Sequence, residues 1–142
     1  MPNDAFEEIV ESFELFDDWE DRYRYVIDLG KELPALDDAR RSDATKVEGC
    51  ASQVWLVPDL RQEDGADRLY FVGDSDAMIV RGLIAVLIAM VSGQPIGEIR
   101  KLDIRAQLAR LQLDQALSAQ RSNGLRAMVT RIEDIAGAAG TA

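Results

Sequence analysis

At 142 residues, 47% of them hydrophobic, the chain suits a single domain spanning 1–142; a domain of this length buries roughly 68 to 70% of the surface its unfolded chain exposes, so folding requires neither disulfide nor structural metal. It holds no histidine and one cysteine, which excludes a Ser/His/Asp triad, a Cys/His pair, imidazole metal sites and the four-thiolate sets of iron-sulfur and zinc centres. Residues 1–50 carry 15 acids against 6 bases and the remainder 11 against 10; that field repels phosphate backbones and anionic lipid, so the expected partner is a basic protein surface rather than nucleic acid or membrane, unless the acids serve solubility alone.

The opening stretch MPNDAFEEIVESFELF begins with acids, not with the basic and apolar runs of a secretory or transit peptide. One cysteine and no secretion signal point to a reducing cytoplasm. Phe6, Ile9, Val10, Phe13 and Phe16 recur at helical spacing. Asp18 is placed to cap a second helix whose Trp19, Tyr23, Val26 and Ile27 share a face, and Gly30 and Pro34 are expected to end it. Residues 34–49 are polar and aperiodic, which predicts a long loop, about 35–52, carrying Cys50 near its end.

Residues 53–57 and 68–72 are β-branched and aromatic runs, expected to pair as an antiparallel hairpin with Gly65 in the turn. GDS at 73–75 is then expected to cap the apolar helix AMIVRGLIAVLIAMV, closed by Ser92 and Gly93. That run contains Arg81 and falls short of the ~20 residues of a membrane span, so it reads as a buried core helix. Pro95 and Asp103 start short helical pieces, and a last helix sets Leu125, Met128, Val129, Ile132 and Ile135 on one stripe. The tail, 137–142, is predicted to be disordered. No internal repeat or Gly-rich phosphate loop is present, and a carboxylate-only magnesium site has no distinctive spacing.

The chemistry therefore concentrates on Cys50, within KVEGCASQVWLV. A free cysteine is often a small buried hydrophobe, but Gly49, Ala51 and Ser52 are small and the preceding loop is polar, as the presentation of an accessible thiol requires. An ordinary thiol of pKa near 8.5 is only ~3% thiolate at neutral pH, so a reactive one needs a cation, and without histidine a side-chain cation is Arg or Lys. Three readings stay open on residues alone: a sulfur carrier, a single-thiol redox sensor, and an acidic protein-binding module with an inert cysteine.

Four blocks in order, WEDRYRYVIDLGKELP, VEGCASQVWLV, GDSDAMIVRGLIAV and SAQRSNGLRAM, resemble the SufE family of sulfur acceptors for cysteine desulfurases, which includes the CsdE branch. SQVW favours the SufE branch. The resemblance implies an α+β domain in which helices flank a short antiparallel sheet, similar to the IscU-type scaffold fold. It implies that Cys50 accepts a persulfide sulfur from a SufS- or CsdA-type desulfurase, stimulating it, and passes the sulfur to a SufBCD-type scaffold for iron-sulfur cluster assembly. On the same resemblance the pyridoxal phosphate is expected to belong to the desulfurase, and this chain to carry no cofactor or metal and to act as an accessory protein, not an enzyme. Arg121 matches the family arginine of the RS-x-GL block, and Asp74 and Asp76 match the GDSD acids; Gly49, Ser52 and Gln53 join Arg121 and Asp74 in the thiol environment and partner contact. Arg121 would hold the Cys50 anion, or instead lie over the core or pair with an acid such as Asp74. The family commonly has Gln after the cysteine, and Ala51 stands there in this chain.

Overall fold

The computed structural model describes residues 4–49, 53–113 and 117–141. Helix α1, Asp4–Leu15, buries Phe6, Ile9, Val10 and Phe13, the apolar stripe of its sequence. Helix α2, Trp19–Lys31, starts where expected: the Asp18 side chain accepts a hydrogen bond from the Asp21 amide at 2.9 Å. Helix α2 ends at Lys31, between Gly30 and Pro34 as expected, with Gly30 its buried penultimate residue. A Cβ there would stand 2.5 Å from the Gly82 amide nitrogen, so the residue serves a close helix crossing.

After the loop come strands β1, Val54–Glu63, and β2, Ala66–Ser75, paired antiparallel from Val54 opposite Ser75 to Glu63 opposite Ala66. The ladder is longer than the apolar runs suggest because Asp64 and Gly65, with φ of 53° and 78°, form a two-residue turn. Positive φ at both turn residues matches the strand twist and lets pairing continue to the tip. Pro58 is tolerated because β1 is an edge strand. Leu56 directs its amide away from β2 to the Thr45 carbonyl, so Pro58, two residues on, lacks a donor only on that outer side.

GDS at 73–75 is the end of β2, not a helix cap: Leu56, Trp55 and Val54 pair with Gly73, Asp74 and Ser75. Helix α3, Met78–Val91, follows, and the Ser75 hydroxyl still accepts from the Ala77 amide at 3.2 Å. It is the central element, burying Leu83, Ile84, Val86, Leu87, Met90 and Val91 against α1, α2 and the inner face of the hairpin. Strand β3, Gln94–Pro95, adds a third, antiparallel strand beside β2, giving the order β1-β2-β3. Helices α4, Ile96–Lys101, and α5, Ile104–Ala109, begin at Pro95 and Asp103 as the sequence predicts.

Helix α6, Ala119–Thr141, closes the core with Leu125, Met128, Val129, Ile132 and Ala136. It continues through 137–141, the stretch predicted to be disordered, despite two glycines there, because Ala136 and Ala139 still pack on the core and extend a helix already nucleated. The architecture is α+β, one three-stranded antiparallel sheet among helices. Among the described residues no helix is long and apolar enough to cross a membrane.

Candidate functional site

Of the loop predicted over about 35–52, residues 35–49 are described and lie outside helix and strand, and the last of these are firmly tied down. Val47 donates to the Val54 carbonyl at 2.8 Å, Leu56 donates to Thr45 at 2.9 Å, and Lys46 bridges Trp55. Residues 45–47 thus run antiparallel along the free edge of β1, with Val47 buried beside Val54. On the far side of Cys50, the Gln53 amide donates to the Asp76 carboxylate at 3.1 Å, and the Asp76 amide donates to the Gln53 carbonyl at 3.4 Å. Val47 and Gln53, on either side of Cys50 in the chain, are therefore each held by hydrogen bonds.

Cys50, Ala51 and Ser52 themselves lie outside the described residues. Gly49, the covalent neighbour of Cys50, has φ of 91°, a conformation L side chains rarely adopt, and a Cβ on it would touch Ala127 of α6 at 3.4 Å. One turn further along that helix, Arg131 donates to the carbonyls of Ala44 at 2.6 Å and Lys46 at 3.3 Å. The chain leading into Cys50 is thus braced by β1 on one side and α6 on another.

Beneath it sits a buried charge cluster. Asp74 is 1% exposed; it accepts from Arg41 of the loop at 2.5 Å, from Arg81 of α3, and from the Ser75 amide at 2.8 Å. Burial pushes the Asp74 carboxyl up, but the Arg41 hydrogen bond, the Ser75 amide, the Arg81 charge and the Leu36 amide outweigh it, and its pKa lies below the ordinary Asp value. Arg81 also donates to the carbonyls of Gly30 at 3.3 Å and Leu33 at 3.1 Å, so one guanidinium joins α3, the end of α2 and β2. Arg41 also lies over the Trp55 ring, 5.7 Å from its centroid. Asp74 is thus enclosed, and it reaches the loop surface through Arg41.

Arg121 is exposed on α6 and donates to the Tyr23 hydroxyl at 2.5 Å, with its guanidinium 6.0 Å from that ring's centroid. Asp74 is occupied by Arg41 and Arg81, so the alternative pairing of Arg121 with Asp74 is not adopted. Arg121 lies ~9 Å along the helix axis from Ala127, six residues at the helical rise, and about 120° around the helix from it. Arg41 and Arg131 carry no local sequence signal, whereas Arg81 is conspicuous as the one charge in an apolar helix. Among the described residues no group of three His, Cys, Asp or Glu could hold a metal ion.

A comparison with known families matches residues 7–136 to the SufE family, described as an Fe-S metabolism associated domain. The chain is 50% identical over 130 residues to a SufE-like protein of Rhizobium etli, covering 92% of this chain and 88% of that one. It is 46% identical over 129 residues to a SufE-like protein of Rhizobium meliloti, covering 91% and 92%. In three dimensions it superposes on the solution structure of a hypothetical protein from Thermus thermophilus with a TM-score of 0.74, 19% identity and full coverage of both chains.

Proposed function

The chain belongs to the SufE family, and on that premise we propose that it is a sulfur carrier: Cys50 takes persulfide sulfur from a pyridoxal-phosphate-dependent cysteine desulfurase and delivers it to an iron-sulfur assembly scaffold of the SufBCD type. In the accepting step the Cys50 thiolate attacks the outer sulfur of the desulfurase persulfide. The sulfur-sulfur bond of the donor breaks, its cysteine leaves as a thiolate, and Cys50 becomes the persulfide. The exchange needs no net oxidant or reductant. A single thiol per chain suits it, because a resolving cysteine would capture the persulfide as a disulfide and release sulfide.

The observation that carries this reading is the anchoring of the only cysteine's segment at Val47 and Gln53, against β1, Asp76 and α6. A carrier must offer its sulfur along one approach line to two successive partners, and fixed positions on both sides of Cys50 limit where that sulfur can be offered. Arg121 is the cation proposed to favour the thiolate and persulfide anions, with Gly49, Gln53, Ser52 and the Asp74 cluster shaping their surroundings. The decisive measurement is intact mass after incubation with desulfurase, pyridoxal phosphate and cysteine. The native chain is expected to gain one sulfur, and Cys50→Ser, nearly isosteric and folded, none. Equal gain by both proteins, or by neither, removes the assignment.

A further inference from the structure

Helix α3 is apolar on nearly every side, and such a helix is normally enclosed all round. Yet Ala85, Ile88 and Ala89, at i, i+3 and i+4, are only half-buried. They form the floor of a groove of about 290 Å³ between α1 and α2, with Leu29 and Leu33 on one wall. Tyr25 lines it as well and packs edge-on against Phe13 at 5.9 Å and beside Phe16 at 5.7 Å, which ties α1 to α2. Glu8 and Glu32 are exposed at the mouth, and among the described residues no Lys or Arg lines the groove. The volume is at the low end for a small-molecule pocket but suits a few apolar side chains projecting from a longer segment.

We infer that this groove docks an amphipathic helix of a partner protein, with medium-sized apolar residues on one face and Lys or Arg flanking them to meet Glu8 and Glu32. Charge decides among occupants. A second copy of this chain brings a net charge of −10. Of its exposed large apolar residues, Leu15 stands beside Glu14, Asp17 and Asp18, Met78 beside Asp76, and Leu60 on strand β1 between Asp59 and Arg61, which pair with each other at 2.8 Å. Insertion of Leu15 or Met78 would set acid against acid at the mouth, and Leu60 brings no unpaired cation and no helix, whereas a basic amphipathic helix is complementary there. The inference does not rest on the sulfur-carrier reading, since nothing in the groove includes Cys50 or its anchors.

The test is an NMR titration of the ¹⁵N-labelled full chain with a synthetic Leu/Lys amphipathic helical peptide, alongside a peptide of the same composition in scrambled order. Shifts are expected at Leu29, Ala85, Ile88 and Ala89 with the amphipathic peptide only. Glu8→Lys combined with Glu32→Lys, both at exposed positions, is expected to weaken binding about tenfold, as is Ala89→Lys, which puts a cation into the floor. Cys50 alkylation rates of both variants should match the native chain. Equal binding by the scrambled peptide, shifts spread over other acidic surfaces, or affinity unchanged by both variants overturns the proposal. Concentration-dependent self-association through the same residues, insensitive to the peptide, would assign the groove to a second copy and overturn it equally.

Discussion

Replacing Asp74 by Asn keeps the side chain's size and removes the charge that two guanidiniums share. The cost follows from what each arginine can do next. Arg41 has a side chain 36% exposed and can turn toward water, so its loss resembles that of a surface pair, up to about 1 kcal/mol. Arg81 is 24% exposed and held to Gly30 and Leu33, so it cannot leave without abandoning two carbonyls. Losing a charge-assisted hydrogen bond there costs about 1.5–3 kcal/mol. The sum, roughly 2–4 kcal/mol, falls near or below that for breaking a fully buried pair because both guanidiniums keep some solvent access. For a chain of this length the unfolding entropy is about 0.3 kcal/mol per degree, so Tm should drop by ~7–13 °C. Calorimetry of both proteins across pH measures it. The folded pKa of Asp74 is depressed, so its contribution is fully present above the unfolded value of about 3.9 and is lost as pH falls through the folded value. The gap in Tm should therefore be widest near neutrality and close in acid. A drop of less than ~2 °C at neutral pH, or a gap independent of pH, would refute the assignment of stability to this cluster.

Gly82→Ala places a Cβ 2.1 Å from the Val26 carbonyl oxygen, a backbone atom that moves only if α2 and α3 separate. Despite a helix-propensity gain of about 1 kcal/mol, overpacking should leave the variant ~2 kcal/mol less stable in urea denaturation, and a neutral or stabilising result would contradict the close crossing. Arg131→Met keeps the apolar stem but frees the Ala44 and Lys46 carbonyls. Hydrogen exchange at Val47 and Leu56 should speed up about fivefold, for a local loss of ~1 kcal/mol, while amides in α3 stay protected; uniform acceleration would mean the arginine has no specific hold on the segment. Arg121→Ala should raise the Cys50 pKa, read as the midpoint of alkylation rate against pH, with Arg121→Lys between it and the native chain. A common midpoint for all three would leave Arg121 to its contact with Tyr23.

Sequence alone determined the features whose physics is local. Asp18 and Asp103 cap helices because a side chain reaches an amide three residues on, and the structure has both bonds. The stripe from Leu125 to Ile132 is core-facing because helical periodicity puts those residues on one side. Family membership, too, was legible in four collinear blocks, and the irregular stretch 35–49 before Cys50 in the absence of any period. Where the sequence misled, a local signal met a non-local partner. GDS resembles a helix cap but is held in β2 by pairing with β1. Gly30 does stand at the end of α2, and it is needed as well where Gly82 passes. Only tertiary structure decided the site's framework. Arg41 and Asp74 lie 33 residues apart, and Arg131 lies 85 and 87 residues from the carbonyls it binds. No periodicity encodes such meetings. They follow from the way α3 and α6 pack against the hairpin, and from the need of buried charges and carbonyls for partners once that packing has excluded water.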